Sequence, residues 1–450
     1  MRAYWLERAL LDDRVAEGVL LVERGGLIAE IVEGVDPSRA DARLPGVAMA
    51  GFANAHSHAF HRALRGRTHH DDGSFWTWRH HMYRVADALD PDSLRELATA
   101  VFAEMVLAGW TAVGEFHYLH APGGMDEAVL DAAEAAGIRL TLLDTLYLRG
   151  GLDDEGRPVA ADAVQSRFLD RSVAAWSDRH ARLAARAGSG GTVRLGAAVH
   201  SLRGVPAPAA GELAAAVRAL GAEAGAVPIH AHVSEQPREN AQVLAETGRT
   251  PVAALAEAGV LGPDFTAVHA THLTEGDIRL LAQSGSGVCL CPTTERDLAD
   301  GVGPAAELAA AGVPLSLGSD QHAVIDPFAE LQALELDARA ASGRRGRFRP
   351  EELRRIASRG GARALGWDAG ELRVGAACDL VSIDPATPRT AGASPAQLPL
   401  AASAADVREV VVAGRRVVVA GRHRAGDVGA LLGEAVERLD ARTRAREDRA

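Results

Sequence analysis

Val47-Ala48-Met49-Ala50-Gly51-Phe52-Ala53-Asn54-Ala55-His56-Ser57-His58-Ala59-Phe60-His61 is the stretch whose reading decides the fold. An apolar run ends in two histidines one residue apart. In an extended strand alternate side chains share a face, so His56 and His58 point the same way and can hold one divalent metal between them. The spacing alone is weak, because 17 histidines in 450 residues produce such a pair by chance. The period of the chain beyond it strengthens the reading.

From residue 47 onward, strand and helix patterns alternate. Strands are predicted over 47–55, 111–117, 138–146, 193–199, 227–233, 265–270, 286–291 and 313–318. Helical patterns lie between most of them, over 92–108, 126–136, 209–224, 239–247 and 275–283. Gly109, Gly137, Gly225, Gly259, Gly285 and Gly312 each fall just before a strand, as helix stop signals should. The strands are apolar without strict alternation, which suits a sheet buried on both faces. Eight such units predict an α/β protein built on a (β/α)8 TIM-like barrel.

The rest of the chain is of a different kind. Residues 18–23 and 27–32 are strand patterns either side of Arg24-Gly25-Gly26, a hairpin signal. Strand patterns return at 371–375, 379–384 and 407–419, after a helical pattern over 350–366. The expected organisation is a small β-sandwich domain formed from both termini, 1–49 plus 371–425, around a barrel over 50–370, with a C-terminal helix and tail over 426–450. An insertion at 60–90 carries Trp76, Trp78 and Tyr83, close together in a chain with only 4% aromatics. A long loop at that face of a barrel is where substrate contacts are built.

Bulk properties bound the partners. The net charge of −12, from 48 basic and 60 acidic residues, disfavours nucleic acid and anionic membrane surfaces. The N-terminal MRAYWLERALLDD has no apolar signal core, and no run approaches the ~20 apolar residues of a membrane helix, so a cytoplasmic protein is expected. Three cysteines, Cys289, Cys291 and Cys378, give no disulfide framework. Cys289 and Cys291 sit in an apolar strand and read as small buried residues.

Active sites of such barrels collect residues from the C-terminal ends of different strands. Those ends carry His56 and His58, then Glu115-Phe116-His117-Tyr118, His200-Ser201-Leu202-Arg203, His230-Ala231-His232-Val233-Ser234-Glu235, His269, and Ser319-Asp320-Gln321-His322. His56, His58, His232 and Asp320 would form a shell of three nitrogens and one oxygen that leaves a position for water, the open arrangement of a catalytic site. A metal there lowers the pKa of water toward ~7. Glu235 stands beside the metal without ligating it and suits proton shuttling. His269 would orient the attacking water or polarise the group under attack. His69, His70, His80, His81 and His322 read as loop residues.

His56-x-His58, the His232 strand with Glu235, His269 and Asp320 resemble the amidohydrolase superfamily in its aminohydrolase branch. The resemblance implies the flanking sheet from both termini and one metal, typically zinc, without a carboxylated lysine. The fourth strand end, with His200 and no lysine, agrees. Ferrous iron accepts the same shell. Within that branch, His56-Ser57-His58-Ala59-Phe60, Ser74-Phe75-Trp76-Thr77-Trp78-Arg79, Glu115-Phe116-His117-Tyr118, His200-Ser201-Leu202-Arg203 and Cys291-Pro292-Thr293-Thr294-Glu295 are similar to the N-formimidoyl-L-glutamate deiminases of histidine degradation. The resemblance implies hydrolytic release of ammonia from a linear amidine, with Asp320 sharing in proton transfer, and a homodimer. Arg203 offers a planar bidentate clamp for an acidic substrate, with Tyr118, His200 and Trp78 nearby. One departure stands out: the family implies Gln at position 61, where this chain has His61. The rival within the branch is a deaminase of a purine or nucleoside ring, of the guanine or S-adenosylhomocysteine kind.

Overall fold

A computed structural model of the chain describes residues 1–11, 14–69, 75–187, 191–224 and 226–447. Eight parallel strands close a barrel in sequence order: Phe52–Ser57, Trp110–His117, Arg139–Leu146, Val193–Val199, Ile229–Val233, Phe265–His269, Gly287–Leu290 and Leu315–Leu317. Pairing of Leu317 with Asn54 closes the ring. Helices including Pro91–Ala108, Met125–Ala136, Val173–Ala187, Pro237–Thr247 and Glu275–Ser284 cover the outside. The punctuation is local chemistry. Asp90 starts the helix Pro91–Ala108 by accepting from the Ser93 amide at 2.9 Å, with the Ser93 hydroxyl answering the Asp90 amide. Gly109 ends it at φ 104°, and Gly137, Gly259, Gly285 and Gly312 also have positive φ, as stop signals require. Gly225 lies outside the described residues.

The strand expected over 47–55 is two strands in two sheets. Ala42–Ala50 belongs to the terminal sheet and Phe52–Ser57 to the barrel. Gly51 between them presses on the second barrel strand, where an added Cβ would stand 2.3 Å from the Thr111 side chain. The terminal sheet is one continuous eight-stranded sheet drawn from both ends of the chain. It curls until Leu27 bridges Ala377, enclosing its own apolar cluster around Tyr4, Leu21, Ile28 and Leu380. Residues 371–375, expected as a strand, make turns instead; Leu380–Ile383 is the strand that joins the sheet. A buried bidentate pair, Arg139 with Asp379 at 2.9 and 3.0 Å, fastens this sheet to the barrel. Among the described residues no helix is long and apolar enough to cross a membrane.

The insertion is not a plain loop. A short helical turn, Ala59–Leu64, follows the first barrel strand, and Phe75–Ala88 is an α-helix. Trp78, Met82 and Ala86 recur at helical spacing and are buried, so this helix turns an apolar face onto the barrel mouth. His80 and His81 lie on it. His70 and Ser74 lie outside the described residues.

Candidate metal centre

The first, fifth and eighth predicted strand ends deliver His56, His58, His232 and Asp320 to one place. His56 Nε2 lies 3.2 Å from Asp320 Oδ1 and 3.2 Å from His232 Nε2. His58 Nε2 lies 3.3 Å from His232 Nε2 and 3.5 Å from Asp320 Oδ1. Donors gathered round one ion by ~2.1 Å bonds stand about 3.4 Å apart in tetrahedral order. The four atoms have the spacing of a shell.

Tautomers sharpen the point. His58 Nδ1 is 2.8 Å from the Phe116 carbonyl, and His232 Nδ1 is 2.7 Å from the His200 carbonyl. Each Nδ1 therefore carries the hydrogen and donates it, leaving a lone pair on each Nε2. The two lone pairs face one another at 3.3 Å, an arrangement a cation resolves and a hydrogen bond does not. Burial keeps both rings neutral, well below the usual histidine range. Asp320 stays ionised despite burial, because His56, His269 and His58 face it. Gly318 lets the eighth strand come this close: an added Cβ would stand 2.7 Å from that of His56. The donor set fits a divalent metal.

Glu235 and His269 stand beside this shell. His269 Nδ1 is 3.4 Å from Glu295 Oε1. Its Nε2 is 3.7 Å from Glu235 Oε1 and 3.9 Å from Asp320 Oδ2. Burial alone would lower the His269 pKa, but the surrounding carboxylates, Glu235 first, hold it well above the usual value. His269 and Asp320 both adopt left-handed backbone, φ 68° and 43°, which costs a non-glycine residue roughly 1–3 kcal/mol and persists only where packing enforces it.

A cavity of about 220 Å³ opens over the shell and is lined by His58, His61, Trp78, Tyr118, His200, Arg203, His232, Glu235 and Asp320. All five expected substrate contacts are therefore brought together. His61 Nε2 and the Tyr118 hydroxyl are 3.0 Å apart. Burial pushes His61 down to about 3, so it is a neutral partner. Arg203 Nη2 reaches Glu235 Oε2 at 3.2 Å.

Several lining residues have no counterpart among the sequence expectations. Arg79 sits within the stretch already singled out, next to Trp78. Arg238 and Gln242 follow Glu235 on the next helix, where spacings of three and seven were the available signal. Tyr147 follows directly on the third strand, whose end the sequence reading left unassigned. His322 lies in a loop, as expected, but is fully buried, and its ring reaches Ser57 and Ser319. Cys289 and Cys291 are buried thiols, as expected.

Residues 47–417 match the Amidohydrolase family. The chain is 37% identical to formimidoylglutamate deiminase of Pseudomonas aeruginosa, over 94% of this chain and 96% of that protein. It is 32% identical to the 5-methylthioadenosine/S-adenosylhomocysteine deaminase of Halobacterium salinarum, over 90% and 89% of the two chains. Among solved structures, an amidohydrolase from Brucella melitensis superposes with a TM-score of 0.86 at 31% identity, covering 98% of this chain and all of that one.

Proposed function

The chain belongs to the amidohydrolase family and is a hydrolase of carbon–nitrogen bonds, and on that premise we propose that it hydrolyses N-formimidoyl-L-glutamate to N-formyl-L-glutamate and ammonia. The observation that carries this reading is one cavity lined by three guanidinium groups, Arg79, Arg203 and Arg238, above the donors His56, His58, His232 and Asp320. The histidines around that cavity are neutral, so the arginines set its affinity for a dicarboxylate. The relative from Pseudomonas aeruginosa, which carries the same activity in its name, supports it as well.

His56, His58, His232 and Asp320 hold one divalent ion, zinc or ferrous iron. When bound, that ion supplies Lewis-acid activation of water near neutral pH. Arg203, which also bonds Glu235, clamps a substrate carboxylate, while Tyr118, His61 and His200 offer neutral polar contacts and Trp78 walls the amidine. Glu235 accepts the proton of the attacking water at Oε1 and returns it to the departing nitrogen. His269, charged and 3.7 Å away, pairs with that carboxylate and holds it turned toward the reacting carbon. Asp320 shares the proton traffic from the other side. One water is consumed and one ammonia leaves.

The test is ammonia release by the purified, metal-analysed protein from N-formimidoyl-L-glutamate, with guanine and S-adenosylhomocysteine alongside. Turnover of the first alone, abolished by a chelator and restored by zinc, is the expected result. An Arg203→Ala variant should raise KM at least tenfold, since a charge-assisted bond contributes about 1.5–3 kcal/mol. Turnover of a ring substrate instead overturns the assignment.

A further inference from the structure

Behind the metal shell, on the side away from the cavity, five buried polar side chains form one continuous line. The Asn54 amide donates to Ser319 Oγ at 2.6 Å. Ser319 Oγ lies 3.0 Å from His322 Nδ1, and His322 Nε2 lies 3.2 Å from Ser57 Oγ. The Ser57 hydroxyl donates to Glu115 Oε2 at 2.5 Å, and Glu115 Oε1 accepts from the Ala59 amide at 2.6 Å. All five side chains are at most 2% exposed.

With the Ser57 hydroxyl donating to Glu115, the donors and acceptors run in one direction. Ser57 has spent its proton on Glu115, so it must accept from His322 Nε2–H. His322 Nδ1 is then a lone pair and accepts from the Ser319 hydroxyl, whose oxygen accepts from Asn54. Every member has a partner, and the line ends on the Glu115 side chain. It crosses the strands that matter: Asn54 and Ser57 bracket His56, Ser57 separates His56 from His58, and Ser319 precedes Asp320. At Ser57 the first strand also slips register against the second, so ladder bonds alone do not hold it.

We propose that this line is a positioning device for the metal ligands, with Ser57 as its hub and Glu115 as its anchor. It fixes the two histidines of the first strand against the aspartate of the eighth, and so sets the affinity for the ion. The proposal rests on reading His56, His58, His232 and Asp320 as a metal shell.

The test is a zinc dissociation constant by competition with a chromophoric chelator, and the visible absorption spectrum of the cobalt-loaded protein, for the wild type, Ser57→Ala, Glu115→Ala and Glu115→Gln. Loss of groups that orient ligands typically weakens metal binding about 10–100-fold. Ser57→Ala and Glu115→Ala should fall in that range and shift the cobalt bands, while their metal-free forms keep the wild-type far-ultraviolet circular dichroism. Glu115→Gln keeps an acceptor for the Ala59 amide and should recover part of the loss. If Ser57→Ala and Glu115→Gln bind zinc within twofold of wild type with unchanged cobalt bands, the proposal is overturned. A wild-type protein that binds no zinc instead overturns the metal shell beneath it.

Discussion

Among the described residues, the histidine–carboxylate cluster at the second strand end and the one at the mouth are matched in opposite ways. At the second strand end, His117, His120 and Asp126 lie close enough for metal ligation, as do His56, His232 and Asp320 at the mouth, with the charged His269 beside them. In the former cluster, His120 Nδ1 reaches Asp126 Oδ1 at 2.7 Å and its Nε2 reaches the Thr145 carbonyl at 3.0 Å. Arg179 stands between Asp144 and Asp170, and His180 lies 3.3 Å from Asp144. A fixed cation already balances those carboxylates. At the mouth, imidazole lone pairs converge on one another and on a single aspartate. Proximity of ligand-type residues does not define a metal site; unspent lone pairs aimed at one point do.

The widest separation of the two clusters comes from Glu235→Gln. Its kcat should fall 10²–10⁴-fold, the usual share of a positioned acid–base group, with metal content and KM near wild type. Undiminished turnover in a stopped assay would sink the mechanism. Next is Arg179→Ala, which strands Asp144 and Asp170 in the interior. Breaking a buried pair costs about 3–5 kcal/mol, to be read by denaturant unfolding, while zinc per folded chain stays unchanged. Loss of zinc in that variant would erase the distinction between the clusters.

The smallest effect concerns pH. Burial opposes the charge on His120, but Asp126 raises its pKa above the usual 6.5, so its stabilisation is complete below 6.5 and fades as pH climbs through the folded value. Burial also opposes the charge on Asp126, yet His120 holds it at about 2 against the usual 3.8, so its share is present above 3.8 and fades as pH falls toward 2. The pair stabilises most between about pH 4 and 6.5. His120→Asn should cost about 1–2 kcal/mol at pH 5 and less at pH 8. An equal cost at both would show that the ring only fills space.

Much of this architecture is legible in the order of residues, for physical reasons. A parallel strand buried on both faces and a helix ended by glycine leave strong local marks, so the βα phase reads directly. Strand ends in such a barrel border one mouth, so ligand-type residues from distant strands meet there whatever lies between them in the sequence. The features that escape such reading lack a local mark. The break at Gly51 sits inside an unbroken apolar run. The helix Phe75–Ala88 hides its apolar stripe among histidines and arginines. His322 looks like a loop residue until the eighth strand carries it beneath Ser57.

Residue order was enough to set the barrel, its two-ended companion sheet and which ligand-type residues stand at its strand ends, because periodicity and side-chain chemistry are properties of the chain. Folding had to supply the rest. The 3.2–3.5 Å spacing of the donors, the tautomers of His58 and His232, the charge on His269 and the gathering of Arg79, Arg203 and Arg238 around one cavity depend on carbonyls and carboxylates far apart in sequence. Local pattern carries no record of such contacts, since they form only when the ring of strands closes.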